Sequence, residues 1–412
     1  AEAVAGVGLS RQVYFLVMII AVAVTAGATP LVAQASGRGD RERIGGVARQ
    51  LLGMVTVLGV FSALLLAWGA RPALILLDAP DEVQHQGRLY LMALAPGVIF
   101  TYSNFAMVSL FRGIGQVRVP LLAAAVMHAV NLPLSYALIN GLGDWLAPMG
   151  IAGAAVGTVV AQACGMLVNL GSWYWRCDRP LRLTGVILPW WQPSLVRAVL
   201  KLGVPISAMH LSRMLAHAMF FHVMAAAGTL ALAAASLTYQ LRLLLIYPSL
   251  AVNVAVITLV GQSLGAGDEA LARRYARQTL AWGTLIGALL AGVAIVWARP
   301  LLQVLCHFTG RETGDQLLEL GVPMIRISFI GQVFATASII VNGAFIGGGD
   351  LRWPFVYTLV TEWLIMLPIT WIVLHWTHLP VSAVWWGFAI APAVLFWLYE
   401  RRFRTRVWLR RL

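Results

Sequence analysis

The sequence predicts an all-α polytopic membrane protein built from two parallel-repeat helical lobes. Three observations predict it: apolar blocks of spanning length recur along the chain, basic residues collect in alternate connections, and two short motifs occur once in each half.

The 412 residues are 60% hydrophobic and 11% charged, more apolar surface than a soluble core of this length can hide. A spanning helix takes about 20 mostly apolar residues. About eleven such blocks can be read. In the first half they are Arg11–Ala35, Ile44–Trp68, Leu89–Phe111, Leu121–Ile139 and Gly150–Trp173. In the second they are Gly203–Ala227, Ala231–Leu264, Tyr275–Ala298, Met324–Phe345, Pro354–Leu374 and Val381–Glu400, with a long break at Ala298–Val322.

The formal net charge of +13 is topological. A nucleic-acid-binding surface gathers Lys and Arg on one folded soluble face. Here Arg38, Arg41, Arg43, Arg112, Arg118, Arg176, Arg179, Arg182, Arg197, Lys201, Arg273, Arg274, Arg352 and the tail Arg401–Arg411 fall in alternate connections. The other connections hold mainly Arg71, Arg88, Arg299 and Arg311. The positive-inside rule puts the first set and the C-terminus in the cytoplasm and Ala1 outside, as expected for a multi-pass protein of the cell inner membrane with no nucleic-acid partner. Cys164, Cys177 and Cys306 share no metal or redox spacing and read as packing residues. The opening AEAVAGVGLS lacks the basic-then-apolar pattern of a cleavable leader.

The strongest signal is an internal repeat. LVAQASGRGDRERIGGVARQ, Leu31–Gln50, aligns without gaps on LVGQSLGAGDEALARRYARQ, Leu259–Gln278. Gly37 with Gly39, and Gly265 with Gly267, can adopt the left-handed conformations that end a helix, while Asp40 and Asp268 can cap the next. Arg49 and Arg277 follow near the cytoplasmic end of that next helix, within reach of headgroups. A second pair, FRGIGQVRVP (Phe111–Pro120) and FIGGGDLRWP (Phe345–Pro354), shares Gly113/Gly347 and Gly115/Gly349, with Pro120 and Pro354 in a first helical turn. These motifs read as tight turns without chemistry of their own.

Both motifs lie on connections of the same side, so the repeats are parallel and each needs an even number of spans. Five spans precede the linker and six follow it, so one helix is expected ahead of Ala1. The expected organisation is an N-terminal lobe over 1–172, a cytoplasmic linker over 173–201, a C-terminal lobe over 202–400 and a basic cytoplasmic tail over 401–412. In that tail Phe403 and Trp408 are expected towards lipid and the arginines towards headgroups.

With these motifs placed, the chain resembles the multidrug and toxic-compound extrusion (MATE) family. LVGQSLGAGDEALARRYARQTL is similar to the family's most recognisable cytoplasmic loop, and NLPLSYALINGLGDWLAPMGIAGAAVGT, Asn131–Thr158, is similar to its NorM-like branch. The resemblance implies two six-helix lobes around a central cavity, alternating access, and export driven by a proton or sodium gradient. AEAVAGVGLS resembles the stretch after the family's first helix, which in many members carries a membrane-embedded acid. Two departures stand out. The Glu that this branch places eight residues after the Pro opening the seventh helix, counted here from Pro205, corresponds to Arg213, and the tenth helix's usual acid corresponds to Ala335.

Intramembrane charge is scarce and costs about 2.5–3.5 kcal/mol per residue on insertion scales, so each instance calls for a cavity or a partner. Glu362 is the only carboxylate well inside a predicted span, and it reads equally as a structural ion pair or a functional group. His128 lies eight residues beyond Pro120, as Glu362 does beyond Pro354, which makes the two pseudo-equivalent. His128, Asn131 and Ser135 share one helix face, and His210, Arg213 and His217 share another. Tyr239, Gln240 and Arg242 read as interfacial anchors, Gln12 being the repeat equivalent of Gln240. Tyr102, Tyr136, Trp363, Phe220 and Phe221 could line a drug cavity, but most aromatics in membrane helices are packing or belt residues. In the family the first and fifth helices of a lobe approach one another. The resemblance therefore brings together the helices of Arg213 and Glu362, whose depths, about 15 Å and about 12 Å into their helices, match within an Arg side chain's reach. An Arg213–Glu362 pair flanked by His210 and His217 is expected, with histidine as the candidate proton carrier and protons favoured over sodium.

The expected function is secondary antiport, exporting amphiphilic drugs or toxic organic compounds in exchange for protons or sodium ions. The chain is expected to act as a monomer among membrane lipids, with small-molecule substrates, a coupling cation and no cofactor. A lipid-linked oligosaccharide flippase of the same superfamily is the alternative, since Arg213 suits a pyrophosphate group. The chain shows no nucleotide-binding loop, metal-ligand cluster or Ser/His/Asp set at one depth, so it is not expected to be an enzyme.

Overall fold

A computed structural model describes residues 2–76, 80–141, 145, 147–176, 192–308, 314–410 and 412. Every regular element among them is helical, as a chain without water at membrane depth requires, because a helix satisfies its own backbone. The chain divides into two compact units, Ala1–Ser207 and Ala208–Leu412. The first holds α1 (Glu2–Thr25), α2 (Ala28–Gly37), α3 (Arg41–Leu76), α4 (Asp81–Leu94), α5 (Gly97–Gly113), α6 (Arg118–Asn140), α7 (Gly150–Arg176) and the start of α8 (Pro193–Ala225). The second holds the rest of α8, then α9 (Thr229–Gly265), α10 (Glu269–Val296), α11 (Ala298–Phe308), α12 (Asp315–Gly347) and α13 (Arg352–Thr361). A π-helical turn (Glu362–Met366), α14 (Leu367–Trp376), a 3₁₀ turn (Val381–Trp385) and α15 (Trp386–Arg404) complete it.

Among the described residues, ten helices are long and apolar enough to cross a membrane, or eleven when α4 and α5, bent by 52°, count as one span. The chain is an all-α, multi-span membrane protein. The segment expected as a linker, 173–201, is helical at both ends, since α7 runs to Arg176 and α8 starts at Pro193. Its centre lies outside the described residues, as do Cys177, Arg179, Arg182, Arg311 and Arg411. The break at Ala298–Val322 is not a loop throughout: it contains α11, and α12 begins at Asp315, ahead of the apolar block first read from Met324.

The four repeated motifs form one turn four times. In each, a glycine takes the left-handed conformation, with φ of 72° at Gly39, 83° at Gly115, 85° at Gly267 and 72° at Gly349. The next amide reaches back five residues: Asp40 to Ala35 at 3.0 Å, Gln116 to Phe111 at 2.8 Å, Asp268 to Ser263 at 2.9 Å and Asp350 to Phe345 at 2.9 Å. This is the Schellman closure, which satisfies the carbonyls left open at a helix end. Only the second glycine of each pair is left-handed. Gly37, Gly113, Gly265 and Gly347 are instead the last helical residues. Gly113 and Gly347 serve close approach, since a Cβ on Gly113 would strike Val32 and Thr29 of α2, and one on Gly347 would strike Ile257 and Val260 of α9. Asp40 and Asp268 cap as expected, accepting from the amides of Arg43 at 3.0 Å and Leu271 at 2.8 Å.

The tail corrects the sequence reading. Phe403 and Trp408 do not face lipid; they are 6% and 0% exposed. Their rings stack 4.9 Å apart, Trp408 meets Phe345 edge-on, and its indole N–H donates to the Phe403 carbonyl at 2.9 Å. The polar anchor is buried Asp350, whose Oδ2 accepts from Arg402 Nε at 2.6 Å while Arg410 stands 3.6 Å from Oδ1. Charge and aromatic burial together draw the tail onto the α12–α13 turn.

Truncating that indole removes a fully buried side chain. Trp408→Ala should cost about 3–5 kcal/mol and lower the unfolding temperature of the purified chain in detergent. Val407→Ala, at an exposed neighbouring position, should leave it nearly unchanged.

Candidate functional site

The membrane-embedded carboxylate sits where its helix departs from α geometry. Pro368 has no amide hydrogen to give the carbonyl four residues back, and its ring crowds that carbonyl. One turn earlier the helix widens into the π-helical turn, and the Leu367 amide bonds to the Glu362 carbonyl five residues back. Trp363 Nε1 donates to Ser212 Oγ at 2.9 Å, tying this turn to α8 beside Arg213.

The depth match expected between the two helices is met. Arg213 Nε donates to Glu362 Oε1 at 3.1 Å, and His217 Nε2 stands 3.7 Å from Oε2. The other ring nitrogen, Nδ1, shares a 2.8 Å hydrogen bond with Tyr239 Oη. A neutral imidazole can accept from the phenol and turn its N–H towards the carboxylate, whereas a protonated one donates on both sides. Arg213, Glu362, His217 and Tyr239 thus form a continuous polar chain from α8 through the π turn to α9.

These groups line a cavity of about 110 Å³ in the second unit, room for several waters. Its remaining wall is mixed, with Asn253, Ser338, Asn342, Thr361 and Tyr399 among apolar neighbours. His210 also lines it, without a hydrogen bond to the pair, and Ala335 leaves that part of the wall without an acid. Phe220, Trp385 and Phe388 pack edge-on or tilted against one another, and His217 rests on Phe388 with ring centres 5.4 Å apart.

Two residues read as interfacial anchors belong here instead. Tyr239 meets His217, and Arg242, 7% exposed, lies with its guanidinium 4.7 Å from the centre of the Phe388 ring. Arg242 is 13 residues into the 37-residue α9, about 20 Å from its start. The i, i+3 spacing of Tyr239 and Arg242, together with the apolar block already read from Ala231, carried that signal, since α9 starts only two residues earlier, at Thr229.

The first-unit stripe is joined only in part. Asn131 Nδ2 donates to Ser135 Oγ and to Thr158 Oγ1, both at 3.3 Å, linking α6 to α7. His128 is exposed one turn away and makes no hydrogen bond among the described residues. A second polar cluster of that unit lies elsewhere, where Asn104 Nδ2 donates to Gln162 Oε1 at 3.0 Å and Asn169 donates to Asn104 Oδ1 at 3.0 Å.

The MatE family model matches residues 1–137 and 205–372. The probable multidrug resistance protein NorM of Thermotoga maritima is 26% identical over 387 residues, covering 94% of this chain and 81% of that protein. Its namesake in Bradyrhizobium diazoefficiens is 28% identical over 408 residues, covering 98% and 86%. Among solved structures, an outward-facing multidrug resistance MATE family transporter of the MOP superfamily superposes with a TM-score of 0.88 at 20% identity, over 98% of this chain and 88% of that one. A MOP superfamily transporter from Pyrococcus furiosus, described by the reverse polarity of its binding pocket, gives 0.88 at 19% identity over the same shares. At these identities the structural likeness establishes the fold.

The ion pair sets a measurable coupling. Arg213→Ala should lower the unfolding temperature more than Glu362→Ala, because it leaves a largely buried carboxylate without its guanidinium, whereas Arg213 alone can turn to the open side of the cavity. The double variant should be less destabilised than the sum of the singles, with a coupling of about 0.5–3 kcal/mol in a thermal-unfolding cycle.

Proposed function

The chain belongs to the MatE family, and from that premise we propose that it is a secondary antiporter of the cell inner membrane that exports amphiphilic organic compounds in exchange for protons. The observation that carries this reading is the Arg213–Glu362–His217–Tyr239 chain on the wall of a membrane-depth cavity. A carboxylate placed there with no role would be costly, and a histidine with an oxygen partner on each side can take up and release a proton without moving far. Protons are favoured over sodium because Glu362 already has a tethered guanidinium on one oxygen and an imidazole facing the other. The names of the curated relatives, probable multidrug resistance proteins, support an organic substrate.

A proton taken up at His217 adds a second cation beside the single carboxylate. Competition for Glu362 then loosens its hold on Arg213, changing both the charge and the shape of the cavity wall. The π turn offers a place for that change to act, since its hydrogen bonds are longer-looped than those of the flanking α-helix. The lipid-linked oligosaccharide flippase remains the second reading. Arg242 favours it, as a cavity-lining guanidinium with no carboxylate in ion-pair distance among the described residues could receive a phosphate oxygen.

Efflux from everted vesicles of an exporter-deficient strain tests the proposal. An imposed pH gradient should drive export of amphiphilic dyes, a sodium gradient alone should not, and Glu362→Gln and His217→Ala should each cut the pH-driven rate at least about tenfold, as for loss of a proton-transferring group. Unchanged pH-driven efflux in both variants would refute the assignment. Absence of dye efflux together with translocation of a polyprenyl-pyrophosphate lipid would establish the flippase reading instead.

A further inference from the structure

The two units differ on one helix face. α3 and α10 follow the same motif, and the ungapped repeat, carried one helical turn further, sets Gly46, Gln50 and Met54 of α3 against Arg274, Gln278 and Trp282 of α10. In the first unit all three positions are buried, and a Cβ on Gly46 would press on the Leu195 side chain of α8. In the second unit all three are exposed, Trp282 to 67%. The face that α8 helps to close in one unit is open in the other, and it has a different composition.

That face of α10 is graded along its length. Arg273, Arg274 and Arg277 line a shallow depression of about 320 Å³ near the helix start, and none has a carboxylate in ion-pair distance among the described residues. Trp282 follows two turns later, and Leu285 and Leu289, 49% and 63% exposed, continue the same stripe. At 100° per residue Arg274, Gln278, Trp282, Leu285 and Leu289 fall within a sector of about 80°. The order is guanidinium, then an amphipathic ring, then aliphatic side chains, over about 22 Å of a membrane-spanning helix.

We propose that this face of α10 is a binding site for an anionic phospholipid. The headgroup phosphate sits against Arg273, Arg274 and Arg277, the glycerol level lies at Trp282, and an acyl chain runs along Leu285 and Leu289. Each requirement of such a ligand is met at its own depth: arginine forks match phosphate oxygens, indoles partition to the interfacial layer, and exposed leucines need hydrocarbon. A free phosphate would use only the arginines and leave the lower stripe without a role. The site does not depend on the transport reading, since it needs only that α10 spans a membrane.

The test uses the full chain, purified and delipidated in detergent, with phosphatidylglycerol, phosphatidylcholine or inorganic phosphate added separately. Binding is read by native mass spectrometry and by the shift in unfolding temperature. Phosphatidylglycerol should bind and stabilise, and phosphatidylcholine should do so much less. Arg274→Gln/Arg277→Gln should weaken phosphatidylglycerol binding at least about tenfold. Trp282→Ala should weaken it while leaving the preference for the anionic lipid intact. All three side chains lie on an exposed face, so the variants should fold, and retained unfolding transitions in lipid-free detergent check this. Equal binding of the two lipids, an unchanged preference in the arginine double variant, or full reproduction of the stabilisation by inorganic phosphate would each overturn the proposal.

Discussion

A bilayer core offers no water to an open amide or carbonyl, so each span must close its own hydrogen bonds along its length, and the carbonyls left open at its end are closed where the chain reverses. The four Schellman turns meet that demand with one device. A left-handed glycine lets the following amide fold back onto the last open carbonyls, at Gly39, Gly115, Gly267 and Gly349 alike. An Ala at any of them would bring its Cβ against the backbone in a conformation that only glycine enters readily. The long helices either side can be nearly featureless in sequence because the turns set where they begin and end.

Upon that scaffold the second constraint is charge. Glu362 is held at depth by a guanidinium from α8 and faced by an imidazole one turn along the same helix, whose other nitrogen meets a phenol from α9. The consecutive helices α8 and α9 meet a segment far along the chain around one carboxylate that cannot be left alone in an apolar medium. The π turn that carries Glu362 follows from Pro368, so a residue with no polar side chain shapes the polar site.

The repeats are alike in their turns and unlike in what covers them. In the second unit Asp350 recruits Arg402 and Arg410 and draws Trp408 into the core; in the first the equivalent position is Gln116, which is exposed. The α3 and α10 faces diverge in the same way, buried in one case and open and basic in the other. Shared turns keep the architecture, and divergent coverings give each unit its own surface.

Periodic or contiguous features were legible in the sequence alone. These were the apolar blocks that became spans, the glycine-aspartate motifs that became capped turns, and the depth of Arg213 and Glu362, which follows from helical rise. All are local, because hydrogen bonding and rise per residue act over a few positions. What required the tertiary structure was coverage. The burial of Phe403 and Trp408, the place of Tyr239 and Arg242 on the cavity wall, and the separation of His128 from Asn131 and Ser135 depend on which distant helix lies alongside. An arginine beside a tryptophan reads the same in a sequence whether lipid or Phe345 lies against the ring. Only packing decides, because burial belongs to neighbours that the local sequence does not contain.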